Sequence, residues 1–267
     1  QPGATIELGG STAQLVAPYP DLPRLWYVQD EANLCTDLWR YGKPIRYGYL
    51  ANEQPIGAYQ TIFSRIPGSA EMPSAARPFT PRVLTRLRRR GVKIAGITLH
   101  TGVSSLEIES DEIEAHVLYP EPYQVPRSTA KIVNEARAAG KRVIAVGTTV
   151  VRALESAWDG EMVQARKGFT RLYIHPQRGV YVVDGLVTGL HDPLASHLAM
   201  LYAIAGQKLV QSAYVEAVER GYLWHEFGDS HLILTGWQDD RMTGWQGESF
   251  VVILSSCYPV SVLGGKR

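Results

Sequence analysis

The sequence contains few cysteines and almost no net charge. Among its 267 residues there are two cysteines, Cys35 and Cys257, far apart in the chain. This pattern excludes a disulfide framework and a cysteine-based metal site, and it is typical of a reducing, cytoplasmic compartment. The formal net charge is +1, so no overall electric field draws the protein to nucleic acid or to a membrane.

Long apolar runs and several common catalytic motifs are also missing. No apolar run is long enough to span a bilayer, which argues against a membrane partner. The chain has no His-x-x-x-His or Cys-x-x-Cys, no dinucleotide or phosphate-loop glycine motif, and no Gly-x-Ser-x-Gly. We therefore expect no metal. The first residues, Gln1-Pro-Gly-Ala, lack an initiator Met and a signal-peptide pattern, so we expect that a segment upstream is missing.

The patterns that are present predict an α/β fold, a mixed sheet with packed helices. Apolar residues make up 45% of the chain and charged residues 20%, as in a globular protein with a core. From residue 80 onward, helix and strand patterns alternate, which is typical of such a sheet. We predict helices at 80–91, 128–140, 148–156, 194–205 and 208–220, and strands at 92–99, 143–146, 170–175, 180–187 and 231–234.

The two ends of the chain differ from this middle region. Residues 1–58 are rich in Gly, Pro and aromatics and predict short strands, with a weak helix candidate at 30–41, in a partial small β-barrel-like domain. Residues 59–234 form the predicted α/β catalytic-type domain. The tail, 235–267, repeats Thr-Gly-Trp-Gln and contains the β-prone run Phe250–Leu254. It predicts either an added edge strand or an unstructured extension.

The most informative stretch is a turn between a strand and a helix. A buried-strand pattern, Val143–Val146, runs into Gly147-Thr148-Thr149, and a helix pattern containing Arg152 follows. Such a turn directs backbone N–H groups and hydroxyls toward one small volume, where the helix dipole and the arginine add positive charge. This predicts a pocket for a carboxylate or phosphate. The alternative is an ordinary connection in which one threonine caps the helix.

Two histidines follow predicted strands, where α/β proteins place their sites. His100 comes after Ile97-Thr98-Leu99, and His191 comes after Leu186–Leu190. Each fits either a hydrogen-bonded structural histidine or an acid–base catalyst. His116 lies in an acidic stretch, and His197 lies among apolar residues, which favours packing.

Together these segments resemble a known family, the S-adenosylmethionine:tRNA ribosyltransferase-isomerases of queuosine biosynthesis. The similar region begins at Tyr59-Gln-Thr-Ile-Phe and ends at Leu234. Four motifs occur in the family's order: Thr98-Leu-His-Thr-Gly, the run from Val143 to Ser156, the run from Val182 to Pro193, and Phe227-Gly-Asp.

The resemblance implies an α/β domain joined to an inserted β-barrel, and S-adenosylmethionine as co-substrate. Such enzymes transfer and isomerise its ribosyl group onto a deazaguanine base in tRNA, releasing adenine and methionine. The resemblance also implies that the Gly147 turn holds the methionine carboxylate, and that His100 or His191 removes a proton beside the sulfonium. The implied site residues are, for the co-substrate, Gly147, Thr148, Thr149 and Arg152, and for the substrate, Tyr59, Gln60, Ser74 and Arg77.

The chain departs from the family pattern at several positions. Arg77 stands where Leu is usual, and Pro78 stands where His is usual, so a hydrogen-bonding side chain is replaced by a ring without a donor. Thr188-Gly-Leu-His replaces Thr-Asn-Phe-His. We expect that the family's N-terminal segment is missing from this chain. The sheet edge that this leaves uncovered invites pairing with another chain, unless the tail fills it.

Three functions are consistent with these observations. The first is the tRNA-modifying enzyme. The second is a divergent paralogue that uses S-adenosylmethionine with a small molecule, which the near-zero charge and the changed motifs favour. The third is a non-catalytic binding relative. The arginine run from Arg86 to Arg90 fits either a solvated helix end or a local basic face for tRNA.

Overall fold

The computed structural model describes residues 1–8, 11–19, 22–30, 40–45, 48, 50, 52–102, 118–191, 195–234, 250–255 and 257–259. Three sequence predictions lie outside these residues: most of the 30–41 helix candidate, the role of His116, and the repeated Thr-Gly-Trp-Gln.

Twelve strands and five α-helices form within the described residues. The strands are β1 (Thr5–Leu8), β2 (Ser11–Tyr19), β3 (Leu22–Asp30), β4 (Ile66–Ser69), β5 (Lys93–Leu99), β6 (Glu121–Val125), β7 (Arg142–Val146), β8 (Arg166–Thr170), β9 (Gly185–Gly189), β10 (Ser230–Leu234), β11 (Phe250–Ser255) and β12 (Cys257–Pro259). The helices are α1 (Pro81–Arg89), α2 (Arg127–Ala138), α3 (Thr148–Ser156), α4 (Ser196–Ala205) and α5 (Gln207–Glu219), with short 3-10 turns at Ile56–Tyr59 and Ser74–Ala76.

A mixed seven-stranded sheet carries the fold, in the order β10-β9-β7-β11-β5-β6-β8. The four central strands, β9, β7, β11 and β5, are parallel, whereas the outer pairings are antiparallel. One face packs against α2, α3 and α4 through a large apolar cluster that includes Val133, Leu154 and Leu201. The other face carries a smaller cluster beneath α1. The predicted mixed α/β class is confirmed.

The tail supplies the central strand of this sheet. β11 pairs in parallel with β7 on one side and with β5 on the other, so that Val252 lies opposite both Ile144 and Ile94. The residues of β11 from Val251 to Ser255 are buried. The added strand is therefore at the centre of the sheet and not at its edge. β12 then pairs with β4.

Two predicted strands have different bounds because side chains take over their backbone partners. The strand predicted at 170–175 ends at Thr170, whose hydroxyl accepts the Leu172 N–H at 3.0 Å and turns the chain. The strand predicted at 180–187 begins only at Gly185. Before it, the Glu155 carboxylate accepts the N–H groups of Tyr181 and Val182 at 2.9 and 2.8 Å in place of a neighbouring strand.

The helices follow their sequence signals closely. Thr80 caps α1 by accepting the Val83 N–H at 3.2 Å, with Pro81 in the first turn. The start of α2 lies one residue before the predicted position, because Thr129 is buried and donates to the Gly96 carbonyl at 2.6 Å instead of capping the helix.

At the N-terminus, β1, β2 and β3 form a separate antiparallel sheet. The domain boundary at residue 58 stays a prediction.

Candidate active site

Two adjoining cavities lie where the four parallel strands end. Counted to their open mouths, they measure about 550 and 490 Å³. Leu99, Gly147, Thr188 and Ser255, each at or just beyond the carboxyl end of a parallel strand, line the first cavity. Open α/β sheets bind ligands at this edge. The two cavities share these lining residues: Glu71, Thr101, Thr148, Thr149 and His197.

The Gly147 turn forms the wall between the two cavities. Gly147 has φ 97°, a value that favours glycine, and precedes α3 without a side-chain cap. Neither threonine therefore caps the helix in the way the alternative interpretation requires. The first N–H groups of a helix have no partner within it, and both threonines line both cavities. The turn thus presents donors and positive dipole charge to a ligand.

Arg152 lies in the second cavity and is held by a buried ion pair. Its Nη1 contacts the Glu121 carboxylate, and its Nε donates to the Leu172 carbonyl at 3.0 Å. Arg152 is 9% exposed and Glu121 3%. The buried Nη2 has no hydrogen-bond partner among the described residues. The guanidinium is thus fixed in place with one donor still available.

His191 lies in the first cavity within a group of three histidines. Its ring stacks on His197 with centroids 4.4 Å apart, and His225 meets it edge-on at 4.6 Å. The Nε2 of His191 lies 2.8 Å from the Thr188 hydroxyl, and its backbone N–H donates to the Tyr214 hydroxyl at 3.0 Å. All three imidazoles line the first cavity.

Burial keeps two of these histidines neutral. It lowers the pKa of His191 well below its ordinary value, and the neighbouring imidazoles lower it further. Burial, followed by His225 and Arg152, lowers the pKa of His197 to about 3. At neutral pH these rings carry no charge, so each has a nitrogen that can accept a hydrogen bond.

His100 is separated from this group. Leu99 and Thr101 line the first cavity, and the alternation of side chains along an extended segment directs His100 away. Its ring lies against Gly68, where a Cβ would be 3.1 Å from the ring. It lines neither of the two cavities. Burial lowers the pKa of His100.

Of the four predicted substrate residues, one lines a cavity and three do not. Ser74 lines the first cavity, whereas Tyr59, Gln60 and Arg77 line neither. Tyr59 packs edge-on against Phe227 at 4.9 Å, and Gln60 bonds the Ile56 carbonyl at 3.5 Å.

Arg77 packs against Phe227 and Glu226. Its guanidinium lies 4.7 Å from the Phe227 ring centroid and donates to the Glu226 carbonyl at 3.0 Å. Burial, followed by the Glu71 carboxylate, raises the pKa of Glu226 to about 8, and Arg77 opposes this shift.

Sequence reasoning missed several lining residues. Thr101 could have been predicted, because it follows the same predicted strand end that pointed to His100. His197 and His225 were not, because their meeting with His191 depends on how α4 and the 220–229 segment fold back. In the part of the chain that the structure describes, no cluster of His, Cys, Asp or Glu has an arrangement suited to a metal ion. No helix there is long and apolar enough to cross a bilayer.

The sequence matches the protein family described as queuosine biosynthesis protein over residues 1–233. The chain belongs to this family. Within it, the chain is 40% identical over 226 residues to an S-adenosylmethionine:tRNA ribosyltransferase-isomerase of Thermus thermophilus, which covers 84% of this chain and 65% of the relative. The chain thus spans less than two thirds of that relative's length.

Other members of the queuosine biosynthesis family give the same result. A ribosyltransferase-isomerase of Natranaerobius thermophilus is 36% identical, covering 87% of this chain and 69% of the relative. A solved S-adenosylmethionine tRNA ribosyltransferase from Thermotoga maritima superposes with a TM-score of 0.50 at 37% identity, covering 60% of this chain and 52% of that chain.

Proposed function

We propose that this protein is an S-adenosylmethionine-dependent ribosyltransferase-isomerase that acts on a deazaguanine base in tRNA. The observation that carries the proposal is the cavity pair at the ends of the parallel strands, in which the Gly147 turn and Arg152 lie beside His191. The names of the relatives support the same reaction. A cytoplasmic location follows from a tRNA substrate.

The two cavities suit the two ends of S-adenosylmethionine. The methionine carboxylate accepts hydrogen bonds from the Thr148 and Thr149 N–H groups and from Arg152 Nη2 in the second cavity, where the helix dipole favours an anion. The nucleoside extends into the first cavity. His197, which lines both, then lies near the sulfonium.

The chemistry begins with removal of a proton beside the sulfonium. We assign this step to His191, because it is the predicted catalytic histidine that lines the first cavity and its uncharged ring does not repel the cationic sulfur. His100, the other candidate, lines neither cavity. The ribosyl group then passes to the base, and adenine and methionine leave. The sulfonium is itself the activating cation, so the step requires no metal.

One observation favours the alternative of a small-molecule acceptor. Pro78 follows Arg77 in the segment next to the cavity wall, where the family usually has a histidine, so a hydrogen-bonding group for the acceptor is missing. A paralogue with this change uses S-adenosylmethionine with a different acceptor.

Titration calorimetry with S-adenosylmethionine is the first test. We expect saturable heat, and its absence from folded protein contradicts both enzyme functions and leaves the non-catalytic relative. Adenine release, measured with and without tRNA that lacks the modification, separates the two acceptors. Release that depends on tRNA supports our proposal, whereas release with a small deazaguanine but not with tRNA supports the paralogue.

A further inference from the structure

A third cavity lies between α1 and β5. It measures about 670 Å³, counted to its open mouth. Phe63, Leu84, Ile94 and Leu254 give it an apolar floor. The exposed side chains of Arg65 and Arg88 line it as well. It is therefore a concave apolar site with a cationic rim.

This third cavity adjoins the candidate active site. Ser255, at the end of β11, lines both the third cavity and the first. β5 links them too, since its Gly96 lines the third cavity and its Leu99 lines the first. A group bound between α1 and β5 would thus be next to the site proposed for S-adenosylmethionine.

α1 extends the positive charge of the rim. The helix contains no acidic residue, and the exposed arginines of α1 and its C-cap are Arg82, Arg86, Arg88, Arg89 and Arg90. Within the described residues, none of these guanidinium groups forms an ion pair. Unpaired arginines clustered on one helix favour a polyanionic partner despite the small net charge.

We propose that the third cavity receives an unpaired nucleobase of an RNA substrate, and that Arg65 and Arg88 bind the adjacent phosphates. The proposal rests on the proposed function for the identity of the RNA. A base offers a flat apolar face that fits a recessed floor, and arginine is well suited to phosphate. A membrane surface is instead bound by protruding apolar side chains.

The test compares two double variants that each remove two positive charges. R65A/R88A changes the rim, whereas K141A/K208A changes exposed lysines before β7 and on α5. Fluorescence anisotropy, without S-adenosylmethionine, measures binding of a labelled RNA hairpin with an unpaired loop and of a blunt RNA duplex. We expect the wild type to prefer the hairpin. R65A/R88A should bind the hairpin on the order of tenfold more weakly. The slope of log affinity against log salt concentration should become shallower by about 1.4. K141A/K208A should match the wild type.

Three results would contradict the proposal. If R65A/R88A and K141A/K208A bind the hairpin with equal affinity, Arg65 and Arg88 do not bind its phosphates. Equal affinity of the wild type for hairpin and duplex excludes the base cavity. Binding to phosphatidylserine vesicles but not to the hairpin identifies a membrane surface instead. If R65A/R88A weakens hairpin binding while the wild type releases no adenine from S-adenosylmethionine, this inference stands and the proposed function fails.

Discussion

At the scale of single residues, the Glu121–Arg152 pair connects stability with binding. Both carboxylate oxygens of Glu121 have a partner, since one faces Arg152 and the other accepts the Gly102 N–H at 2.9 Å. A buried pair of this kind contributes little net stability, but the loss of one partner leaves an uncompensated charge. Arg152 therefore positions the cavity wall, and in the proposed binding mode it also offers a donor to the ligand.

Arg152→Ala should lower the free energy of unfolding by about 3–5 kcal/mol, because it leaves the Glu121 carboxylate buried without its partner. It should also weaken S-adenosylmethionine binding by about 1.5–3 kcal/mol through loss of a charged hydrogen bond. Urea unfolding and calorimetry measure the two effects. Arg178→Ala, which breaks the pair with Glu155 outside the cavities, is the control, and the binding role fails if both variants bind the ligand equally well.

The histidine group predicts a pH dependence of stability. Burial lowers the pKa of His197 to about 3 from an ordinary 6.5. Between these pH values the unfolded chain binds a proton that the folded protein does not, so stability falls as pH falls through this window. The slope is at most about 1.4 kcal/mol per pH unit for this group. His197→Phe should flatten the curve in urea unfolding across the window, and an unchanged slope contradicts the assignment.

At the scale of elements, two glycines next to helices have positive φ, one inside the candidate site and one outside it. Gly147 and Gly140 both have positive φ, 97° and 64°. Gly147 precedes α3 in the cavity, whereas Gly140 follows α2 at the opposite end of the strands. The two positions thus allow the same substitution inside and outside the site.

Gly147→Ala and Gly140→Ala should each destabilise the fold by about 1–3 kcal/mol, because alanine is strained at these angles. Only Gly147→Ala should weaken S-adenosylmethionine binding, since it displaces the N–H groups of the α3 first turn. Thermal unfolding and calorimetry on both proteins test this. Equal ligand affinity would show that the turn does not contact the ligand.

The central position of β11 predicts a large contribution to stability. Ile253 is 0% exposed in the middle of the sheet, whereas Leu232 in the outermost strand β10 is 48% exposed. Ile253→Ala should cost about 2–5 kcal/mol, and Leu232→Ala less than about 0.5 kcal/mol. Chemical denaturation measures both, and similar losses would place β11 outside the core.

Local signals predicted local features, and non-local pairing explains what they missed. Thr80-Pro81, Gly91 and the Val143–Val146 run mark their elements because caps and buried strands depend on neighbouring residues. β11 shows only that it is β-prone, because its partners β5 and β7 lie more than a hundred residues away. His100 illustrates the same limit, since the sequence gives the strand end but not the side to which the ring turns.

At the scale of the whole molecule, distant segments assemble one site. β5, β7, β9 and β11 all end at the cavities, and β11 lies beyond residue 233, where the family match ends. Ser255, at the end of this tail strand, lines the first cavity. The arginines of α1 provide local positive charge on a chain whose net charge is +1. The two observations together are what the proposed function requires, a cavity for S-adenosylmethionine next to a basic surface for tRNA.

Adenine release from S-adenosylmethionine, in the presence of tRNA that lacks the modification, tests the central claim most directly. We predict that the wild type releases adenine only when the tRNA is added. His191→Ala should slow the release by about 10²–10⁴-fold while the protein remains folded. A wild type that binds S-adenosylmethionine without releasing adenine, or a His191→Ala variant with the full rate, would contradict the account.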